Sequence, residues 1–262
     1  MAASHPNQFN RRFLTPPETK IYDDFWELPW DEWIMACDTH SPYVDTKIFN
    51  KMIQVAQHYG IKNFIHGGDF WDQSQFSFFD IDPEDLTDFS YDIRYSKSIL
   101  KALDITFKDV RFFLGSHDVR YYKMLMSKGK HQKVKDIWNM LDNDKIQVSQ
   151  YRFANIGPPG TGWRFNHPKN TVKAGGLSAV RMEAKFNRSM AFAHGHWFGH
   201  IMAPDGIHHL VAPGCMVDKK RVSYKAAWDT SHDEWVNGFC MVVEKNKPIL
   251  FSEHTPWGLY HV

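Results

Sequence analysis

The sequence predicts an α/β fold in which two mixed β-sheets pack face to face and helices flank them. In the first half of the chain, short apolar runs alternate with amphipathic segments, an order typical of parallel strands joined by helices. In the last third, apolar runs of strand length predominate and indicate antiparallel pairing. No linker of distinct composition separates the two parts. We therefore predict a single domain over residues 31–262, preceded by an irregular, proline-containing arm at residues 1–30.

The first half of the chain supplies three predicted strands and two predicted helices. The strands are residues 33–38, 63–67 and 110–115, and the helices are residues 45–60 and about 83–103. The first helix has an apolar stripe and Gly60 as its C-terminal stop; the stripe is Ile48, Met52, Val55 and Tyr59. Strands that alternate with helices in this way are expected to be parallel, so their carboxyl ends should share one edge of a sheet.

The second half is predicted to be richer in strands. The predicted elements are a helix around 132–142, strands at 145–153 and 162–166, a helix at 177–187, strands at 189–194 and 208–214, and a hairpin at 238–253 that turns around Asn246 and Lys247. Together with the first half, these elements are enough for two sheets.

Composition narrows the choice of partners and compartment. The formal net charge of +1 excludes the strong overall basic field that would by itself indicate a nucleic-acid binder. The longest apolar runs are far shorter than a membrane span, and three cysteines at unrelated spacings cannot form a fully paired disulfide framework. We therefore expect a cytoplasmic protein with no membrane partner.

Two local clusters of charge stand out against this neutral average. Residues 123–135 are rich in lysine, and residues 78–92 are rich in aspartate and glutamate. We interpret both as solvated helix faces. The basic segment also favours polyanionic substrates, and the acidic segment is a candidate lid or dimer contact.

Metal-type side chains follow each of the first three predicted strands. The pairs are Asp38 and His40, Asp69 and Asp72, and His117 and Asp118; two later segments add His167, His194 and His196. Because the carboxyl ends of parallel strands meet at one edge, three separate loops would bring Asp and His to one place. Carboxylates and imidazoles without cysteine suit Mn²⁺, Fe or Zn²⁺ better than a soft thiolate site does.

The order of these residues resembles the calcineurin-like metallophosphoesterase family, whose motifs are DxH, GDxxD, GNH followed by D or E, a single His, and GHxH. The sequence has Asp38-Thr-His40, Gly68-Asp69-Phe-Trp-Asp72, Gly115-Ser-His117-Asp118, His167 before a proline, and Ala193-His194-Gly-His196. The five motifs occur in the family's order, so as a set they are specific. The resemblance implies the four-layer α-β-β-α metallophosphoesterase sandwich.

The resemblance also implies two divalent ions, with Mn²⁺ favoured and Zn²⁺, Fe or Ni²⁺ as alternatives. Carried over residue by residue, the first ion is held by Asp38, His40, Asp69 and His196, and the second by Asp69, His167, His194 and Ser116. A hydroxide between the ions would attack the phosphate. His117 would act as general acid oriented by Asp118, while Asp72 would support the ligands from behind.

Two positions depart from the family pattern. Ala193 replaces a glycine, which we expect to matter little. Ser116 replaces the family's asparagine and offers a hydroxyl where an amide carbonyl is usual, so we expect a weaker second metal. Arg120, two residues after Asp118, is expected either to bind a substrate phosphate or to form a structural ion pair.

The expected function is a metal-dependent phosphoric ester hydrolase, with a phosphodiesterase on nucleotides, DNA or RNA preferred. Two alternatives stay open: a phosphomonoesterase on small substrates, and a catalytically weakened member that binds metal or a partner because of Ser116. Whether the chain forms an oligomer is also left open. Several nearby residues rank lower, as packing, pocket-lining or inert positions; they are His200, His66, Asn166, Tyr43, Trp197 and Cys37.

Overall fold

In the computed structural model of the protein, the described residues are 25–77, 87–130, 138, 146–149, 151–169, 185–222 and 235–260. Within them the strands are β1 (Glu27–Leu28), β2 (Trp33–Ala36), β3 (Asn63–His66), β4 (Asp109–Phe113), β5 (Gln147–Ser149), β6 (Phe153–Ile156), β7 (Trp163–Asn166), β8 (Ser189–Phe192), β9 (Phe198–Met202), β10 (His209–Pro213), β11 (Gly238–Val243) and β12 (Lys247–Ser252). The helices are α1 (Thr46–Tyr59), α2 (Phe89–Thr106) and α3 (Arg120–Ser127), with single 3₁₀ turns at Ser74–Phe76, Lys219–Arg221 and Trp257–Leu259.

The strands form two six-stranded mixed sheets. The first has the order β12-β11-β2-β3-β4-β5, in which β2 to β5 are parallel and β11 runs antiparallel to β2. The second has the order β1-β6-β7-β8-β10-β9, in which β7, β8 and β10 are parallel neighbours. The predicted class, an α/β fold of two mixed sheets with flanking helices, is confirmed.

Side chains of the first sheet alternate between two apolar layers. Trp33 and Met35 on β2 point towards the second sheet and pack in one cluster with Trp163 and Phe165 on β7. Ile34 and its neighbours on the opposite face pack with the helices, in a cluster that includes Met52, Phe64, Leu100 and Phe112. Because both faces are covered, β2 reads as a continuous apolar run, and β3 has one large apolar residue on each face, Phe64 and Ile65.

Helix α1 shows how local sequence sets the bounds of an element. The Asp45 carboxylate accepts a hydrogen bond from the Lys47 backbone N–H at 2.9 Å, and Gly60 ends the helix in the left-handed conformation at φ 69°. The predicted bounds and stop are therefore confirmed. One member of the predicted stripe is wrong, because Tyr59 is exposed while Phe49 and Ala56 are buried.

Several other predictions need correction. The predicted strand at 145–153 is two strands in different sheets, β5 and β6, and a hydrogen bond from Tyr151 N–H to Ser149 Oγ marks the turn near the end of β5. Helix α3 and strand β9 were not predicted. The hairpin exists, but its turn precedes Lys247, which is already in β12.

Some predicted segments fall largely outside the described residues. These are residues 1–24 of the arm, the helix at 132–142 apart from the buried Trp138, most of the helix at 177–187, and most of the acidic segment. Residues 27–28 of the predicted arm form β1, which pairs parallel to β6. Asp92, interpreted as part of a solvated face, is buried and accepts hydrogen bonds from Thr87 Oγ1 and Gln75 Nε2, both at 2.6 Å. Among the described helices, none is both long and apolar enough to cross a membrane.

Candidate metal centre

Five loops bring Asp and His side chains to one edge of the two sheets. The loops follow β2, β3 and β4 in the first sheet and β7 and β8 in the second. They carry the predicted residues Asp38 and His40, Asp69 and Asp72, Ser116 to Asp118, His167, and His194 and His196. The carboxyl ends of parallel strands therefore assemble the cluster, as the alternation of strands and helices indicates.

The first group consists of Asp38, His40 and His196. The Nε2 atom of His196 lies 3.4 Å from Asp38 Oδ1 and 3.3 Å from the Nε2 atom of His40. All three side chains are buried. Two imidazole nitrogens and a carboxylate oxygen that converge in this way form a donor set suited to a divalent ion.

The second group consists of Asp69, His167 and His194. Asp69 Oδ2 lies 3.3 Å from His167 Nε2 and 3.7 Å from His194 Nδ1. Ser116 borders this group, since its hydroxyl donates to Asp69 Oδ2 at 3.1 Å. Asp69 also belongs to a third group of possible ligand atoms with His40 and His117, so it lies between the two halves of the cluster.

The orientation of His167 leaves one ring nitrogen facing the cluster. Its Nδ1 atom donates to the backbone oxygen of Gly67 at 2.8 Å. Its Nε2 atom is buried and lies 3.3 Å from Asp69 Oδ2, but it makes no hydrogen bond of good geometry within the described part of the chain. A buried imidazole whose outer nitrogen is anchored to a carbonyl and whose inner nitrogen has no hydrogen bond has the arrangement that metal-binding histidines adopt.

The backbone of the cluster is strained. Five residues have a left-handed backbone, with φ of 51° at Asp38, 47° at His40, 52° at Asp69, 76° at His194 and 57° at His196. Such a conformation costs about 1–3 kcal/mol for each non-glycine residue and persists only where the surroundings impose it. Here backbone hydrogen bonds impose it in part: Asp38 N–H donates to Gly68 O at 2.9 Å and His40 N–H to Asp69 O at 3.0 Å.

Gly115 allows two of these loops to approach each other. A Cβ atom at this position would lie 2.0 Å from Asp69 Oδ1 and 2.3 Å from the Asp69 backbone nitrogen. The absence of a side chain therefore permits the His117 backbone N–H to donate to Asp69 Oδ1 at 2.7 Å. A glycine is required here by close approach rather than by its own φ.

Asp72 connects His117 to the ligand loops. Its Oδ1 atom lies 2.8 Å from His40 Nδ1 and 3.0 Å from His117 Nδ1, and its Oδ2 atom accepts from Ser74 Oγ at 2.6 Å. Burial alone would raise the pKa of Asp72, but its hydrogen bond with His117 and the charge of that imidazole hold the pKa well below its usual range. One carboxylate thus orients two imidazoles through their Nδ1 atoms.

The structure differs from the prediction that Asp118 orients His117. The buried carboxylate of Asp118 instead accepts from the backbone N–H groups of Gly115 and Trp71, both at 2.8 Å. It therefore holds together the loops that follow β3 and β4. Burial, followed by the nearby charge of Asp69, raises the pKa of Asp118 to about 6.

Arg120 lies on the outer side of His117. Its NH2 group contacts the Nε2 atom of His117 at 2.9 Å, and its NH1 group donates to the backbone oxygen of Asp72 at 3.0 Å. The same NH1 group is 3.8 Å from the Asp72 carboxylate. Of the two roles expected for Arg120, the structure contains the ion pair, which is with Asp72. The guanidinium also lies beside the His117 imidazole.

Burial and neighbouring charges shift the pKa values of several groups in the cluster. Burial alone would raise the pKa of Asp69, but the positive charge on His167 outweighs it and holds the pKa well below its usual range. Burial alone would lower the pKa of His167, but Asp69 raises it to about 9. His40 behaves differently, since burial and then the charge of His117 lower its pKa.

The lower-ranked residues lie around the cluster or away from it. Cys37 Sγ donates to Gly214 O at 3.1 Å, and burial raises the pKa of this thiol well above its usual range. Tyr43 is buried with its hydroxyl 3.4 Å from Ser74 Oγ. His200 lies on exposed β9, where its Nε2 atom contacts His209 Nδ1 at 2.9 Å. Asn166 and Trp197 are half-buried beside the loops that carry His167 and His196.

Two residues of the site were missed by sequence reasoning. The ring of Trp235 packs edge-on against His196, with centroids 4.0 Å apart. Gln73, with φ of 53°, accepts from Tyr121 N–H at 2.8 Å and donates to Asp118 O at 3.3 Å, so it joins the start of α3 to the loop after β3. Trp235 follows no motif, but the position of Gln73 directly after Asp72 was a usable signal.

Several solved structures are similar to this protein in fold. Neither the models of known protein families nor the curated proteins include a match to this sequence. The structure is similar to Vps29 of Chaetomium thermophilum, at 13% identity and a TM-score of 0.45, covering 84% of this chain and 96% of that one. It is also similar to vacuolar protein sorting 29 of Cryptosporidium parvum, at 10% identity and a TM-score of 0.40, covering 88% of this chain and 98% of that one. A third similar structure is TT1561 of Thermus thermophilus, at 8% identity and a TM-score of 0.40, covering 85% of this chain and 98% of that one.

The fold and the clustered side chains agree with the arrangement that the motifs imply. Two six-stranded mixed sheets with flanking helices form the sandwich expected of the calcineurin-like metallophosphoesterases, and three groups of Asp and His that could hold metal ions lie at its edge. The sandwich of two mixed sheets that the resemblance implies is confirmed.

Proposed function

We propose that the protein is a dinuclear-metal-dependent phosphodiesterase that acts on nucleotides or nucleic acid. The observation that carries the proposal is the pair of neighbouring donor groups, Asp38 with His40 and His196, and Asp69 with His167 and His194, beside the ordered imidazole of His117. Two loops in the first group and three in the second bring two imidazoles and a carboxylate together, which independent turn or cap residues have no reason to do.

The donor set fits two divalent ions. It consists of carboxylate oxygens and imidazole nitrogens, and the buried Nε2 atom of His167 has no hydrogen bond in the described residues. The first ion would be held by Asp38, His40, Asp69 and His196, and the second by Asp69, His167, His194 and Ser116. Hard oxygen and imidazole ligands favour Mn²⁺, with Zn²⁺, Fe and Ni²⁺ as alternatives. When bound, such a pair of ions would activate water and neutralise charge on the phosphate.

His117 is suited to protonate the leaving oxygen. Asp72 holds its Nδ1 atom at 3.0 Å, so Nε2 is the nitrogen that would serve a substrate. The Arg120 guanidinium lies 2.9 Å from the same nitrogen and can only donate, so it would have to turn to a bound phosphate before Nε2 could carry the proton for the leaving oxygen. A proton donor matters most when the leaving group is a poor one, such as a ribose alkoxide, and this favours a diester substrate.

The surface next to His117 supports a polyanionic substrate. Helix α3 begins at Arg120, and the exposed side chains that follow include Lys123, Lys128 and Lys130. Lysines along a surface attract phosphate backbones without selecting a sequence. These lysines therefore favour a nucleotide or nucleic-acid substrate more than a small monoester.

A second candidate rests on Ser116. Its hydroxyl donates to Asp69 Oδ2 at 3.1 Å, and a neutral hydroxyl is a poorer ligand than the amide carbonyl that the family has at this position. This favours a catalytically weakened member that binds metal or a partner. The three cysteines are free and buried, which supports a reducing compartment such as the cytoplasm for either candidate.

One panel of substrates separates the candidates. With Mn²⁺ present, the protein should hydrolyse bis-p-nitrophenyl phosphate faster than p-nitrophenyl phosphate, and cleave a single- or double-stranded DNA or a cyclic nucleotide. The reverse preference indicates a monoesterase. Inactivity on every substrate with Mn²⁺, Ni²⁺ and Zn²⁺ refutes the enzymatic proposal and favours the binding role. His200→Ala is the matched control for His117→Ala, because His200 lies on exposed β9 outside all three donor groups.

A further inference from the structure

We infer that His66 is a positioning residue of the metal centre, which fixes the loops carrying Asp38, His40 and Asp69 through one hydrogen bond to each loop. The inference rests on the proposed metal-dependent function and assigns a role to a residue that the family motifs leave out. His66 is the last residue of β3 and is 1% exposed, so its contacts are all with the protein.

The two ring nitrogens of His66 contact the two loops. The Gly68 backbone N–H donates to Nδ1 at 3.2 Å, and Nε2 lies 2.6 Å from Thr39 Oγ1. A backbone N–H can only donate, so Nδ1 must carry a lone pair. The proton of the neutral imidazole is then on Nε2 and is donated to Thr39 Oγ1.

The two contacted residues are central to the strained backbone. Thr39 lies between Asp38 and His40, at φ of 51° and 47°, and Gly68 at φ 92° precedes Asp69 at φ 52°. Such conformations persist only where surrounding contacts impose them. His66 is placed to stabilise these left-handed conformations, because its rigid ring fixes the distance between Thr39 and Gly68.

The ring itself is held in place by aromatic packing. Phe112 stacks on it with centroids 4.8 Å apart at 10°, and Phe70 meets its edge at 5.4 Å and 88°. Burial lowers the pKa of His66 to about 3, which is consistent with a neutral ring near physiological pH. A packed, neutral ring with a fixed tautomer differs from a residue that only fills space, since two specific hydrogen bonds depend on it.

Binding of Mn²⁺ tests the inference without any need for turnover. The full-length chain is stripped of metal and titrated with Mn²⁺ while free Mn²⁺ is followed by electron paramagnetic resonance. We expect His66→Phe, which keeps the ring and removes both hydrogen bonds, to weaken binding by about 10–100-fold. His66→Gln, which retains a donor and an acceptor, should lose less. Phe64→Leu, on the same strand, is the control: it should lower the melting temperature and leave Mn²⁺ affinity unchanged.

Several results would overturn the inference. One is Mn²⁺ affinity in His66→Phe that stays within about threefold of the parent. Another is a loss no larger than that of Phe64→Leu. If His66→Phe does not fold, Thr39→Val removes the same hydrogen bond from its other end and should weaken Mn²⁺ binding. The ¹⁵N chemical shifts of His66 should show a single tautomer protonated at Nε2, and shifts averaged between two tautomers would contradict the fixed orientation.

These readouts separate the inference from the proposed function. A chain that binds Mn²⁺ tightly, loses affinity in His66→Phe and yet hydrolyses no phosphate ester refutes the enzymatic proposal and supports the role of His66. A parent chain that binds no divalent ion overturns both.

Discussion

Protons and metal ions should compete for the Nε2 atom of His167. This atom lies 3.3 Å from Asp69 Oδ2, while the opposite nitrogen donates to Gly67 O. Burial alone would lower the pKa of His167, but the Asp69 carboxylate raises it to about 9. The ion of the second site must therefore displace a proton from Nε2 at neutral pH.

The size of the effect follows from this pKa. A rise from 6.5 to about 9 amounts to about 3 kcal/mol of interaction between the imidazolium and its surroundings, at about 1.4 kcal/mol per pH unit. Each pH unit below about 9 should then cost the second metal about tenfold in apparent affinity. Between pH 7 and pH 9 the affinity should rise by about 50-fold, because half of the His167 side chains are still protonated at pH 9.

Isothermal titration calorimetry measures both the affinity and the proton. Mn²⁺ is titrated into metal-stripped protein at pH 7 and pH 8.5, each in two buffers of different ionisation enthalpy. At pH 7 we expect about one proton released as the second site fills, and tighter binding at pH 8.5. His167→Gln should lose both the proton and the pH dependence of that site. Affinity that does not change between the two pH values, with no proton released, would refute the reasoning.

Four further predictions concern single changes. In the metal-stripped protein, the raised pKa of His167 contributes stability that is fully present below pH 6.5 and is lost as pH rises through about 9. The free energy of unfolding measured in urea should therefore fall by about 3 kcal/mol over that window. This fall should be absent in His167→Gln. His117→Ala should lower kcat for bis-p-nitrophenyl phosphate by about 10²–10⁴-fold while Mn²⁺ affinity is retained; an equal loss in His200→Ala would contradict the assignment. Gly115→Ala places a Cβ 2.0 Å from Asp69 Oδ1 and should destabilise the fold by about 3 kcal/mol in urea, whereas Gly258→Ala, with no atom within 4 Å, should change little. Ser116→Asn should tighten the second Mn²⁺ in calorimetry, and unchanged affinity would count against Ser116 as a ligand position.

The parallel half of the fold was predictable because local and global signals agree there. Helix α1 carries its cap at Asp45, its apolar stripe and its stop at Gly60 within one short segment. The strands on either side are apolar on both faces, as buried parallel strands must be. Such segments specify their structure without information from distant parts of the chain.

The mispredicted elements depend on distant contacts instead. Residues 145–153 were predicted to form one strand, but β5 pairs with β4, and β6 pairs with β1 and β7. The adjacent polar residues Ser149 and Gln150 interrupt the alternation of the sequence, but they do not indicate that the chain passes to the other sheet. Strand β9 was missed because its residues, including the exposed Ile201 and Met202, lack the alternation expected of a half-buried strand.

The candidate site shows the same division. Spacing and residue type were enough to select the carboxylates and imidazoles that the structure brings together. The choice between Asp72 and Asp118 as the partner of His117 was wrong, because it depends on which way each loop turns after its strand. The role inferred for His66 was equally hidden, since a histidine before a Gly-Asp turn reads as packing until its two hydrogen-bond partners are known.

The central claim is that the two donor groups hold two neighbouring ions. An anomalous difference map from crystals of the Mn²⁺-loaded protein tests it most directly. We predict two peaks roughly 3.5–4 Å apart, one among Asp38, His40 and His196 and one among His167 and His194, with Asp69 between them. The absence of any peak in this cluster, or full Mn²⁺ occupancy at some other place in the chain, would contradict the account.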